Sequence, residues 1–132
     1  MLNPLFKEWL EKAERDFHFA CRNLEDPENP YLDLVCFHFH QSAEKYLKSF
    51  IVAHDLEFKR IHDLVELLRI CEEKEPSFST LSSACEFLTD FYIETRYPVP
   101  WPSGVSREEA EKARKYAESI RDFVRNLLNI KP

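Results

Sequence analysis

Apolar side chains recur every three or four residues along most of the chain, which is the spacing of amphipathic helices. The first such stripe predicts a helix from Pro4 to Leu24, with Asn3 as its N-cap. A second stripe predicts a helix from Leu32 to Ala53. This second apolar face is wide, so we expect neighbouring helices on two of its sides. The stripe residues are Phe6, Trp9, Leu10, Ala13, Phe17, Ala20, Cys21 and Leu24, then Val35, Cys36, Phe39, Ala43, Tyr46, Leu47, Phe50 and Ile51.

Three further helices follow in the second half of the chain. A short one is predicted from His62 or Asp63 to Glu73, and a longer one from about Thr80 to Glu94. The last begins after Ser106, because Glu109 three residues on completes a capping box. Short connections favour antiparallel neighbours. The sequence therefore predicts an all-α fold, an antiparallel up-and-down bundle of four long helices plus one short helix, in a single domain over residues 1–132.

Composition narrows the class of protein. The chain of 132 residues has one glycine, four cysteines and a net charge of −6, so the bulk charge gives no sign of DNA binding. No two cysteines form a Cys-x-x-Cys pair, which favours buried thiols in a reducing, cytoplasmic setting. No signal peptide or membrane-length apolar run is visible.

The histidines do not predict a metal site. His38 and His40 are two residues apart, so on a helix their side chains diverge by about 200°. A single glycine also excludes the glycine-rich loops that cradle phosphates in nucleotide cofactors. We therefore expect no metal and no cofactor.

Two groups of residues are candidate sites. Gln41, Lys45 and Lys48 could line a groove between subunits, although Glu44 and Lys48 also have the spacing of an ordinary surface ion pair. Arg96 and Tyr97 precede a proline-rich segment, and there the guanidinium could bind a phosphate while Tyr97 and Trp101 supply stacking. Equally, Arg96 could cap the carbonyl groups at the end of the fourth helix.

Four ordered blocks of residues resemble the HEPN family (higher eukaryotes and prokaryotes nucleotide-binding domain). Trp9, Ala13 and Asp16 are similar to its opening segment, and residues 37–48, Phe-His-Phe-His-Gln-Ser-Ala-Glu-Lys-Tyr-Leu-Lys, to its central motif. His62-Asp63-Leu64 and Arg96-Tyr97-Pro98 are similar to its His-Asp-Leu and Arg-Tyr-Pro blocks. The resemblance spans nearly the whole chain.

The resemblance implies a helical bundle that dimerises, and a partner. Small members often occur beside a minimal nucleotidyltransferase, as a pair resembling a toxin and its antitoxin. Many HEPN proteins are metal-independent ribonucleases whose signature is Arg, four to six residues, then His. This chain departs from that signature, because no His follows Arg96 and only one residue separates Arg60 from His62.

Three hypotheses follow. The first is a homodimer that binds a nucleotide or RNA through Arg96, Tyr97, Gln41, Lys45, Lys48 and His62, together with a nucleotidyltransferase. The second is a ribonuclease whose rearranged site uses Arg96 and His62 as catalytic residues. The third is a purely structural dimer. The dimer is supported by the second and fifth helices, which are too apolar for a monomer of this size, and by Trp101 in a loop, where its burial needs a partner.

Overall fold

The computed structural model describes residues 1–96 and 104–130, with backbone only for residues 93–96. In these ranges every regular element is helical. The elements are α1 (Phe6–Glu25), α2 (Leu32–Ala53), α3 (Leu64–Lys74), a 3-10 helix (Pro76–Leu81), α4 (Ser82–Arg96) and α5 (Arg107–Leu127). The predicted all-α class is confirmed.

The second helix, α2, is the centre of the bundle. It packs against α1, α3, α4 and α5, and fourteen of its twenty-two residues are buried. The four long helices alternate in direction. Asn3 meets Ala53 and Asp16 meets His38, so α1 is antiparallel to α2. The rings of Phe78 and Phe50, and those of Tyr92 and Phe37, pair in the order that makes α4 antiparallel to α2 as well. Arg107 meets Leu24 and Arg125 meets Glu14, so α5 is antiparallel to α1. The wide apolar face of α2 is thus covered within one chain.

The connection between α2 and α3 determines where the candidate site lies. Residues 54–63 return along the bundle, so α3 runs parallel to α2. Two contacts fix this register: His40 with the His62 carbonyl, and the Cys71 thiol with the Leu47 carbonyl. The start of α3 is therefore beside the middle of α2.

Side-chain caps fix the starts of two helices. Asp63 is the N-cap of α3 and accepts hydrogen bonds from the backbone N–H groups of Val65 and Glu66. Ser106 and Glu109 form the predicted capping box at the start of α5. Asn3 is not the N-cap of α1, because its side chain accepts from the Leu5 N–H in a preceding turn and the helix begins at Phe6.

The sequence prediction missed the 3-10 helix. It treated Pro76-Ser77 as a separator and began the fourth helix near Thr80. Pro76 instead opens a turn of 3-10 helix that buries Phe78 and Leu81 and leads directly into α4. Phe78 fills the base of the bundle, with its ring 4.7 Å from Phe50 and 4.8 Å from Phe123.

Two helices were expected to need a dimer partner, and that argument fails. The α5 stripe of Ala110, Ala113, Ala117, Ile120 and Val124 is fully buried in the single chain, as is most of α2. Small residues on α5 allow it to approach its neighbours closely, which completes the core without a second copy. The other support, Trp101, lies outside the described residues.

Candidate functional site

His62 lies just before α3 and is held by a buried carboxylate. Its Nδ1 is 2.8 Å from Glu44 Oε1, and its side chain is 44% exposed whereas that of Glu44 is only 5% exposed. A carboxylate can only accept hydrogen bonds, so Nδ1 carries the proton and donates. The other ring nitrogen, Nε2, is then the atom that His62 can offer to a ligand. We call Glu44, Lys48, His62 and Tyr92 the His62 site.

The carboxylate of Glu44 is also paired with a buried lysine. Lys48 Nζ donates to Glu44 Oε2 over 2.8 Å, and both side chains are about 95% buried. The ammonium also lies 5.7 Å from the ring centre of Trp9 and 5.6 Å from that of Phe58, which are cation–π distances. The expected surface ion pair is wrong, because α1 and the α2–α3 connection cover it. Lys48 therefore cannot line a groove between subunits.

Tyr92 completes the site from α4. Its ring is stacked on that of His62, with centres 4.2 Å apart and planes 19° apart. Phe37 stacks on Tyr92 as well, at 6.0 Å. Arg96 is the last residue of α4, one helical turn beyond Tyr92. The fold therefore brings the His-Asp-Leu block next to the end of α4, where the Arg-Tyr-Pro block begins.

His40 supports the site from beneath. It is fully buried, and its Nε2–H donates to the His62 carbonyl over 2.9 Å. Burial lowers the pKa of His40, so its ring is neutral and Nδ1 must accept. Nδ1 lies 3.0 Å from the side-chain amide of Gln41, whose NH₂ group must therefore face it. Gln41 thus positions His40, and through it the backbone of His62.

Lys45 lies on another side of α2. Its Nζ is hydrogen-bonded to Asp16 on α1, which also contacts His38 Nδ1 at 3.1 Å. Burial alone would raise the pKa of Asp16, but the hydrogen bonds from His38 and Lys45 outweigh it and the pKa is lowered. As predicted, His38 and His40 point to different sides of α2. Lys45 is not part of the His62 site.

A third polar cluster is structural. Glu14 on α1 accepts from the Tyr46 hydroxyl and from Arg125, each over 2.8 Å, and so ties α1 to α2 and α5. Burial favours the protonated form of Glu14, but the hydrogen bonds from Tyr46 and Arg125 and the charge of Arg121 dominate and lower its pKa. These contacts join α1 to two other helices, while His18 Nε2 on α1 itself lies 3.5 Å from Glu14 Oε2.

The predicted site residues lie in different surroundings. His62 is at the centre of the His62 site, and Lys48 is buried behind Glu44. Gln41 contacts His40 behind the site, Lys45 pairs with Asp16 elsewhere, and Arg96 is the last residue of the helix that carries Tyr92. The Arg96 side chain and Tyr97 lie outside the described residues. Sequence reasoning missed Tyr92, although its position four residues before Arg96 placed both on one face of a helix.

The chemistry of the site is that of a half-exposed histidine held by a buried carboxylate. No group of three or more His, Cys, Asp or Glu side chains within 1–96 and 104–130 could hold a metal ion. Within these ranges, none of the helices combines the length and the hydrophobicity that a membrane span needs. A histidine held by a carboxylate can donate or accept a proton at Nε2, and the aromatic stack fixes the plane of its ring.

Comparison with known proteins gives a consistent picture. The model of the HEPN domain family matches residues 6–127. A crystal structure of TT1696 from Thermus thermophilus is similar with a TM-score of 0.81 and 30% identity, over 92% of this chain and 97% of that one. ST0689, described as an archaeal HEPN homologue, has a TM-score of 0.73 and 27% identity, over 96% and 98% of the two chains. No curated protein sequence matches the chain.

Proposed function

This chain belongs to the HEPN domain family, and from that premise we propose that it is a homodimeric module that binds a nucleotide or RNA phosphate at the His62 site. It acts in the cytoplasm with a minimal nucleotidyltransferase, as one half of a pair resembling a toxin and its antitoxin. The observation that carries the proposal is the stack of His62 on Tyr92, one turn before Arg96. The stack joins the first residue of the His-Asp-Leu block to α4, the helix that ends at Arg96.

The geometry supports binding of a phosphate in two ways. A half-exposed histidine donates from Nε2 when protonated. Arg96 ends α4 one turn beyond Tyr92, and from there its guanidinium would make bidentate contacts with a phosphate. Both oxygens of the buried Glu44 carboxylate already accept hydrogen bonds, one from Lys48 and one from His62 Nδ1. A ligand would therefore bind on the exposed side of His62, at Nε2.

Direct binding measurements test this proposal. Fluorescence anisotropy with a labelled single-stranded RNA, and calorimetry with ATP, should detect binding to the wild type without divalent metal. We expect Arg96→Ala and His62→Ala each to weaken it by about tenfold or more, as loss of a charge-assisted hydrogen bond does. The matched controls are Arg69→Ala and His18→Ala, which remove exposed side chains of the same types elsewhere. A wild type that binds neither probe would contradict the proposal.

The partner requires its own experiment. Co-expression with a minimal nucleotidyltransferase from the same genome, followed by purification through a tag on one protein, should yield both. Failure of the two to co-purify would contradict the pairing and would leave the binding of nucleotide or RNA untouched. If neither ligand nor partner were bound, the purely structural dimer would be the better explanation.

The Glu44–His62 pair specifically favours a second candidate, a metal-independent ribonuclease. A carboxylate on Nδ1 keeps Nε2 correctly oriented to take a proton from a ribose 2′-hydroxyl, and Arg96 would stabilise the charge on the phosphate. Incubation with a mixed RNA pool in EDTA distinguishes the two functions. Cleavage that disappears in both His62→Ala and Arg96→Ala would establish the ribonuclease, whereas binding without cleavage would favour the binding module.

A further inference from the structure

A cationic depression lies between α1 and α2, on the side of α2 that carries Lys45. Its volume is about 350 Å³, and its lining consists of Lys12, Arg15, Asp16, Phe19, His38 and Lys45. With His38 neutral, three positive charges stand against one negative charge in this lining, whereas the whole chain has a net charge of −6. The depression therefore concentrates positive charge on a protein that is acidic overall.

The hydrogen bonds within the depression leave several donors unused. Asp16 accepts from both inner residues, since its Oδ1 is 3.1 Å from His38 Nδ1 and its Oδ2 accepts from Lys45 Nζ. His38 thus donates from Nδ1, and Lys45 keeps two of its three N–H groups. Lys12 and Arg15 form no salt bridge with any residue that the structure describes. Asp16 therefore fixes two donors, and two unpaired cations stand beside them.

A smaller apolar cavity adjoins the depression. Phe19 and His38 line both spaces, and the centres of their rings are 4.6 Å apart. The cavity has a volume of about 160 Å³, and Tyr31, Leu34 and Val35 supply the rest of its apolar lining. An engineered cavity of about 150 Å³ in another protein binds benzene. This cavity therefore has room for one six-membered aromatic ring.

The two asparagines of the cavity are occupied within the hairpin. Asn29 Nδ2 donates to the side-chain and backbone oxygens of Asn23, and Asn29 Oδ1 accepts from the Tyr31 N–H. Asn23 Nδ2 donates to the Phe19 carbonyl over 2.8 Å. Because these groups already have partners, the cavity suits a hydrocarbon ring better than a hydroxylated sugar.

Exposed carboxylates bound the cationic region at both ends. Glu8 precedes Lys12 by one helical turn, and beyond the exposed Arg22 the connection and the first turn of α2 carry Asp26, Glu28 and Asp33. A long polyanion laid along the hairpin would meet like charges at each end. A ligand with a single anionic group would meet only the depression. This distribution of charge favours a small ligand.

We propose that this surface of the α1–α2 hairpin binds a small aromatic phosphate, namely one aromatic ring that carries a phosphate monoester directly or through a short linker. The phosphate lies in the depression, where the guanidinium of Arg15 can make paired hydrogen bonds and Lys12 and Lys45 add positive charge. The ring lies in the apolar cavity against Phe19. The site is separate from the His62 site and requires neither a dimer nor a partner protein.

Titration with phenyl phosphate, followed by NMR spectra of the isotope-labelled full chain, tests the site. We expect the amide signals of residues 12–19 and 31–45 to shift. Lys12→Ala with Arg15→Ala should weaken the binding of phenyl phosphate by about tenfold or more, because it removes two charged donors. Arg69→Ala with Lys115→Ala is the matched control, since it removes the same two kinds of exposed side chain elsewhere.

A second variant tests the apolar cavity. The wild type should bind phenyl phosphate about tenfold more tightly than inorganic phosphate, because the ring loses its contact with water. Tyr31→Ala with Leu34→Ala should abolish this difference and leave the binding of inorganic phosphate unchanged. Both residues are exposed, at 62% and 48%, so the fold does not depend on their side chains.

The outcomes separate the parts of the proposal. Weaker binding in the Lys12 and Arg15 variant but not in its control, with the ring preference lost in the cavity variant, would establish the site. The proposal would be overturned if millimolar phenyl phosphate left the spectrum unchanged, if the shifts were confined to residues around His62, or if both charge variants lost affinity equally. Tighter binding of AMP or single-stranded RNA than of phenyl phosphate at these residues would overturn the class of ligand. Circular dichroism, unchanged in every variant, separates loss of binding from loss of fold.

Discussion

Replacing Glu44 by Leu should be among the most damaging single substitutions in the chain. Lys48 is only 6% exposed, and Glu44 is the one carboxylate within hydrogen-bond distance of it among the described residues. The substitution leaves a buried ammonium without its counter-charge, which costs about 3–5 kcal/mol. Since domains of this size are stable by about 5–15 kcal/mol, Glu44→Leu should remove a large part of the free energy of unfolding.

Replacing the lysine of the pair should cost less stability than replacing the glutamate. Lys48→Met removes the ammonium but keeps the hydrogen bond from His62 to Glu44 at 2.8 Å, so we expect a loss of about 1–3 kcal/mol. Replacing both residues, Glu44→Leu with Lys48→Met, removes the need for a buried pair altogether. Its free energy of unfolding should lie within about 1 kcal/mol of the wild type.

Urea unfolding followed by circular dichroism measures all four proteins. The double-mutant cycle should give a coupling energy of about 2 kcal/mol or more between the two positions. A cost below about 1 kcal/mol for Glu44→Leu would refute the reasoning, because it would mean that Lys48 reaches water. The double variant has a further use: it keeps the fold but removes the acceptor of His62 Nδ1, so ligand binding should fall although stability does not.

Three further predictions concern the rest of the molecule. Ser106→Ala should lower the free energy of unfolding by about 1 kcal/mol, because it removes the side-chain acceptor of the α5 capping box. Urea unfolding measures the loss, and Ser119→Ala within the same helix is the control. Equal losses in the two variants would mean that the cap is unimportant. The folded protein lowers the pKa of Glu14 and that of Asp16 from their ordinary values of 4.5 and 3.8. Their contribution to stability is therefore complete above the ordinary values and is lost as the pH falls through the lower folded-state values. Asp16→Asn should make stability depend less steeply on pH in this acidic range, and an unchanged dependence would contradict the prediction. Cys36, Cys71 and Cys85 should not react with a thiol reagent in the native protein and should react in urea, because all three are buried. Burial also raises the pKa of Cys71, and it raises that of Cys85 to about 12. Rapid reaction of more than one thiol in the native protein would contradict this packing.

The sequence by itself determined those features, such as helix bounds and caps, that depend on residues close together in the chain. The α2 bounds, Leu32–Ala53, were predicted correctly because the apolar stripe begins after a proline-rich turn and continues at helical spacing. Ser106 and Glu109 act on backbone groups within three residues, so the capping box was predicted from their order in the chain. Asp63 was placed at the start of the third helix, and the structure shows that it is the N-cap. The HEPN resemblance was inferred from short ordered motifs, and the match of the family model confirms it.

Only the tertiary structure decided which polar residues are buried and which meet. Glu44 and Lys48 have the spacing of an exposed pair, and nothing near them in sequence indicates that Trp9 and Phe58 cover the lysine. His62 and Tyr92 are thirty residues apart and meet because residues 54–63 return along α2 before α3 begins. Contacts of this kind depend on the packing of whole helices, which local patterns of apolar and polar residues leave open.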